Sequence, residues 1–179
     1  LSNEMGIPLI GAGDLFDTKN PDSQSVDVAC KILSRVGKGV YYIQGDHELA
    51  DPPWLRVLNR GEWIHNRTVT FGDYRFYGLD FAPAGRSGVW IKEIPVGVDF
   101  LVTHQKWKDL VPNMSGESLT FDMIPYKLCL LTGDCHAMSV GTFKAADGEM
   151  GRYISPGTLC VQALGEQSNK MIYTLFSDG

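Results

Sequence analysis

The sequence predicts an α/β domain in which two mixed β-sheets pack face to face with helices outside them. Three observations carry this expectation. Short apolar runs flank a helical stretch near the amino end, which suits a parallel βαβ unit. Hairpin turn pairs, Gly72-Asp73 and Asp147-Gly148, follow later in the chain. Four apolar runs also end abruptly in Asp or His, as strands do when a sheet presents chemistry at its carboxyl edge. These are Leu9–Gly13 before Asp14, Gly39–Ile43 before Gly45-Asp46-His47-Glu48, Phe100–Thr103 before His104, and Leu128–Gly133 before Asp134-Cys135-His136.

Taken in order, residues 7–13 read as a short buried strand and Asp14–Asp17 as the loop after it. Asn20 is expected to cap a helix with Pro21 at its first position, where a missing N–H costs nothing. Val26, Ala29, Cys30, Leu33 and Val36 recur at helical spacing, and Gly37 is the expected stop. Val40–Ile43 is the next strand, which would bring Asp14 and Asp46 to one edge of one sheet. Asp51-Pro52-Pro53 opens a turn or short helix towards Leu58.

Trp63–His65, Val69–Phe71 and Tyr74–Leu79 read as strands, and Ala82–Gly88 as a loop. Val98–Thr103 is a buried strand. Residues 105–125 are mixed, with a short helix near Ser118–Met123, and Leu128–Thr132 is the following strand. Ser139–Phe143 and Arg152–Ile154 form a hairpin that Ser155-Pro156-Gly157 ends, and Lys170–Phe176 reads as a closing strand. No linker divides residues 1–179, so a single domain is expected.

Bulk properties narrow the class. A chain of 179 residues buries roughly 70% of its unfolded surface, enough for a substantial core. With 44% hydrophobic and 21% charged residues it matches neither a disordered nor a fibrous chain. A net charge of -5 opposes coating of nucleic acid through phosphate contacts alone, although a local basic groove stays possible. The cysteines Cys30, Cys129, Cys135 and Cys160 lack paired CxxC spacing, which argues for a reducing cytoplasm over a disulfide framework. No apolar run reaches the ~20 residues of a membrane span.

Oxygen and imidazole donors at several strand exits suit a hard or borderline divalent ion such as Mn, Mg, Fe or Zn. A pair of such ions requires a bridging carboxylate, for which Asp14 is the natural candidate. The motifs GDLFD (Gly13–Asp17), GDHE (Gly45–Glu48), the lone His104 and GDCH (Gly133–His136) resemble, in order and spacing, those of the calcineurin-like metallophosphoesterases: GDxxD, GNH[DE], an isolated H and GHxH. GDLFD and the closing Tyr153–Gly157 are most similar to SbcD-like DNA-repair exonuclease subunits, bacteriophage versions included.

The resemblance implies a four-layer αββα fold and a phosphodiesterase, a Mn-dependent DNA nuclease using a metal-activated water. It implies two divalent ions, Mn first, then Mg, with Zn or Fe less favoured. Asp14 would bridge them; Asp46, His104 and Asp134 would serve the second ion and His136 the first. His47 would be the catalytic histidine that donates to phosphate or protonates the leaving oxygen. DNA is the implied substrate, with an SbcC-like ATPase partner and a homodimer as further implications. A phosphomonoesterase, a small-molecule phosphodiesterase, or a non-catalytic scaffold without a complete metal pair are the alternatives.

The chain departs from the family pattern at three points. Residues 1–13 contain neither Asp nor His, so the family's first Asp-x-His motif and its strand are absent, and truncation at the amino end is expected. Asp46 stands where the family has Asn, and Asp134 where it has His. Two added anions favour Mn or Mg over Zn and weaken the ion as a Lewis acid; the shorter Asp134 would reach it through a water.

Several residues also have simpler explanations. Asp17 reads as a turn cap or a site residue, Glu48 as a partner of His47 or the start of the next segment, and His65 as structural. Cys135 is expected to pack, since an activated water needs no thiolate. Lys106, Trp107 and Lys108, with Arg86 and Lys92, form either a basic, aromatic lip for nucleic acid or ordinary solvated surface.

Overall fold

The structure, a computed structural model, describes residues 7–36, 39–82, 86–112 and 118–157. The first unit is the expected one. Strand β1 (Leu9–Ala12) leads through helix α1 (Ser23–Leu33) to β2 (Val40–Ile43), and the two strands pair in parallel with Leu9 opposite Val40 and Ala12 opposite Ile43. Helix α2 (Trp54–Val57) then precedes β3 (Glu62–Trp63), which adds to the other side of β2, also in parallel. Among the described residues this sheet is therefore wholly parallel, in the order β1-β2-β3, and not mixed. The connections between its strands, residues 13–39 and 44–61, each carry a helix, the arrangement that keeps neighbours parallel.

The second sheet is mixed, as expected. It contains β4 (Thr68–Phe71), β5 (Tyr74–Leu79), β6 (Phe100–Thr103), β7 (Cys129–Thr132), β8 (Ser139–Lys144) and β9 (Met150–Ser155), in the order β4-β5-β6-β7-β9-β8. Strands β5, β6, β7 and β9 run parallel, and the Gly72-Asp73 turn and the Asp147-Gly148 loop close the two antiparallel hairpins at the edges. The chain passes between sheets at Ile64, which is fully buried: Trp63 pairs with Tyr42 of the first sheet and His65 bridges Gly78 of the second.

Strand alternation sorts the apolar residues into layers. On β2, Val40 and Tyr42 join Leu33 and Leu55 beneath the helices, whereas Tyr41 and Ile43 belong to a cluster with Ile10, Phe76, Phe100, Val102 and Leu131. That second cluster draws on both sheets, so they share one core. On the far side, Tyr77, Leu79, Leu101 and Leu130 pack with Ile91, Trp107 and Phe121. Contact is close at Gly78, where an added Cβ would lie 2.6 Å from the Ile64 carbonyl oxygen and 2.9 Å from Ile43 Cγ2. Gly78→Ala is expected to lower stability by about 1–3 kcal/mol, measured by urea unfolding, because rigid backbone must yield to the methyl group.

The strands expected over residues 7–13, 63–65 and 98–103 are Leu9–Ala12, Glu62–Trp63 and Phe100–Thr103, and three helix or loop boundaries also differ from expectation. Helix α1 is capped by Asp22, not Asn20: Asp22 Oδ1 accepts the Ser25 N–H at 2.7 Å, and Pro21 lies outside the helix. Satisfying an orphan N–H with a carboxylate at the positive helix end outweighs the preference for Pro at the first position. The expected loop Ala82–Gly88 is shorter, because helix α3 (Ser87–Lys92) begins inside it and buries Ile91. The short helix near Ser118–Met123 is one 3-10 turn at Phe121–Met123. The expected stop at Gly37 and the strand Lys170–Phe176 lie outside the described residues. Among the described residues, no helix is long and apolar enough to cross a membrane.

Candidate metal centre

The exits follow strands packed against the core, buried in β2 and β6 but only half-buried in β1, which was expected to be buried, so strand packing determines where the polar side chains emerge. The exits of β1 and β2 from one sheet meet those of β6 and β7 from the other. Donor atoms of Asp46, His104 and Asp134 lie within 4.8 Å of one another, as do those of Asp14, Asp46 and His47. Asp46 thus belongs to both groups. Asp14 also reaches both, with Oδ2 3.2 Å from His104 Nε2 and Oδ1 accepting the His47 N–H at 3.3 Å.

The convergence depends on glycines that precede the aspartates. A Cβ at Gly45 would fall 1.9 Å from Asp14 Oδ1, and one at Gly133 would fall 2.1 Å from the Ala12 carbonyl oxygen and 2.5 Å from His104 Nδ1. No side chain fits at either position. Asp14 and Asp134 themselves adopt left-handed backbone, with φ of 54° and 65°. Asp tolerates that region better than most residues, and strain of this kind gathers at functional sites.

His104 is the centre of the group. It is 2% exposed, and its Nδ1–H donates to the Ala12 carbonyl at 2.7 Å, which aims Nε2 at the carboxylates. Besides Asp14 Oδ2, Asp46 Oδ1 lies 3.4 Å from Nε2. Both are ion-pair distances without hydrogen-bond geometry, since His104 Nε2, Asp46 Oδ1 and Asp134 Oδ2 are all buried without a hydrogen-bond partner. Burial opposes charge on the imidazole, but Asp14, Asp46 and the Ala12 carbonyl outweigh it and raise its pKa from 6.5 to about 10.

The carboxylates diverge in response. Its contact with His104 holds the Asp46 carboxyl below its usual range, while burial pushes Asp134 up. Three carboxylates facing one imidazole leave net negative charge to attract a cation. Three buried polar atoms without partners, on donors typical of hard divalent ions, fit a metal ion well.

His47 is exposed on the rim. Its Nδ1 lies 2.7 Å from Asp17 Oδ1, and that contact leads the influences that raise its pKa. Asp17 is therefore a partner of the histidine rather than only a turn residue. Glu48 is buried and its Oε2 accepts the Phe16 N–H at 3.0 Å, so it ties the β1 exit to the β2 exit. Its pKa is raised by burial.

His136, by contrast, is exposed and joins neither donor group. Cys135 is buried and packs, as expected. Trp107 corrects the proposed lip: it is 2% exposed, fills the core beside Phe121, and donates from Nε1 to Thr132 Oγ1 at 3.0 Å. A large ring at that point is worth more buried than presented to solvent.

One residue escaped the sequence pattern although it obeys it. Asp80 follows Leu79 directly, a fifth strand exit, and is buried with its carboxylate against Gln44 and Trp63. His65, the structural histidine, stacks on Trp63 with ring centres 5.7 Å apart and accepts the Asp80 N–H at 3.0 Å. No family model matches this chain, and no curated protein matches it.

Proposed function

We propose that the protein is a metal-dependent phosphodiesterase whose centre is built from Asp14, Asp46, His104 and Asp134. The observation that supports this most is the meeting of four strand exits from two sheets around three buried polar atoms without partners. Such an ion, when bound, would supply Lewis acidity towards a phosphoryl oxygen and activation of water. Asp46, His104 and Asp134 would hold one ion; Asp14 and Asp46 face a second position at the His47 side. Two carboxylates to one imidazole favour Mn or Mg over Zn. The resemblance of the motifs supports the four-layer metallophosphoesterase fold.

The chain's own groups do the remaining work. The Ala12 carbonyl fixes the proton of His104 on Nδ1, so that Nε2 can serve as ligand once its own proton leaves. Proton and metal ion therefore compete for Nε2. Asp17 orients the His47 ring and favours its protonated form, which suits donation to the leaving oxygen. Glu48 and the His47 N–H keep the two loops in register for that role.

DNA as the substrate rests on the likeness of GDLFD and Tyr153–Gly157 to SbcD-like nucleases. Mn(II) binding to the full chain, followed by electron paramagnetic resonance, and hydrolysis of bis-p-nitrophenyl phosphate test the proposal together. Both are expected in the wild type, and His104→Ala is expected to lose both. Absence of Mn(II) binding in the wild type would overturn it. Assays on single-stranded DNA, duplex ends, cyclic nucleotides and aryl phosphates then separate a nuclease from a phosphomonoesterase.

A further inference from the structure

Asp80 lies in neither donor group, yet it connects the segments that carry two of the proposed ligands. Its carboxylate accepts the Gln44 N–H at 2.8 Å and lies 3.0 Å through each oxygen from Trp63 Nε1. The Gln44 side-chain amide approaches the second oxygen at 3.5 Å. Its main chain continues the pattern: the Asp80 carbonyl accepts Gln105 Nε2 at 2.6 Å, and the Phe81 N–H donates to the Gln44 carbonyl at 2.9 Å. Gln44 Oε1 in turn accepts the Ala50 N–H at 2.9 Å, on the far side of the Gly45–Glu48 loop.

The placement of these partners is what matters. Gln44 directly follows β2, two residues before Asp46, and Gln105 directly follows His104, the first residue past β6. The strands belong to different sheets, and no ladder of hydrogen bonds joins them. At 5% exposure Asp80 bonds to both exits, whereas the apolar attraction below is non-directional and opposes sliding of one sheet on the other only through the fit of its side chains. Directional bonds from one buried carboxylate and its own backbone restrict that sliding.

We propose that Asp80 is a positioning residue that sets the separation of Asp46 from His104, and so the affinity of the centre for its ion. The carboxylate faces N–H donors, which leaves it the role of strut rather than ligand. This inference rests on the metal centre proposed above.

The test is Mn(II) affinity of the Asp80→Asn chain, read by electron paramagnetic resonance at a temperature where circular dichroism shows it folded. The amide keeps the shape but replaces one acceptor oxygen with a donor that faces N–H groups. Affinity is expected to fall about 10- to 100-fold, as when outer partners of metal ligands are lost, and the spectrum of the bound ion is expected to broaden. A variant with lowered melting temperature but wild-type affinity and spectrum would assign Asp80 to fold stability alone and overturn the proposal. If Asp80→Asn does not fold, Trp63→Phe removes one donor to the carboxylate and is expected to weaken binding in the same direction. Unchanged affinity there overturns it equally. Lack of Mn(II) binding by the wild type would instead bring down the metal centre and this inference with it.

Discussion

Replacing His47 with alanine is expected to lower kcat for phosphodiester hydrolysis about 10²- to 10⁴-fold, the usual contribution of a positioned general acid. Mn(II) affinity is expected to stay near the wild-type value, because the donor group Asp46, His104 and Asp134 does not include this exposed side chain. Steady-state kinetics beside metal titration check the two halves separately. Loss of metal together with rate would make His47 a ligand, an outcome its proximity to Asp14 and Asp46 also permits. Asp17→Asn supplies the pH signature. The Asp17 contact is the leading reason that the His47 pKa is raised, and a general acid works only while protonated. Removing it is expected to move the alkaline decline in rate to lower pH.

Chelator-treated protein is expected to lose stability steadily as pH rises from about 6.5 towards 10. The cause is His104, whose pKa rises from 6.5 to about 10 in the fold. A group with a raised folded pKa contributes fully below its unfolded value, and that contribution disappears as pH climbs through the folded value. The loss is on the order of a few kcal/mol, given ~1.4 kcal/mol for each pH unit of difference. Urea unfolding at several pH values in EDTA measures it, and a flat profile would contradict the His104 geometry. Adding Mn(II) should weaken the trend. Because ion and proton compete for Nε2, metal affinity is expected to climb over the same interval, and the loaded protein to decline less.

Much of the architecture is legible in the sequence. The β1-α1-β2 unit follows from apolar runs on either side of a 3.6-residue repeat, and the Gly72-Asp73 turn from its two-residue loop between alternating strands. The site residues were legible for a related reason: a short strand must end at the sheet edge, so a polar residue just past it has a known address. By this rule Asp14, Asp46, His104 and Asp134 were found, and Asp80 could have been. The helix start at Asp22 and helix α3 were harder, since capping and short helices are decided by single hydrogen bonds and by where Ile91 can be buried.

Sequence alone therefore determined which polar residues stand just past the ends of strands. The tertiary structure decided which of them meet. Trp107 looked available for a ligand and is core, His136 shares a motif with Asp134 yet stays outside the donor groups, and Asp17 became the partner of His47. The physical reason is range. Strand period and turn chemistry act over a few residues, whereas the meeting of Asp46 with His104 depends on two sheets with no shared hydrogen-bond ladder, held by a common apolar core and the bonds around Asp80.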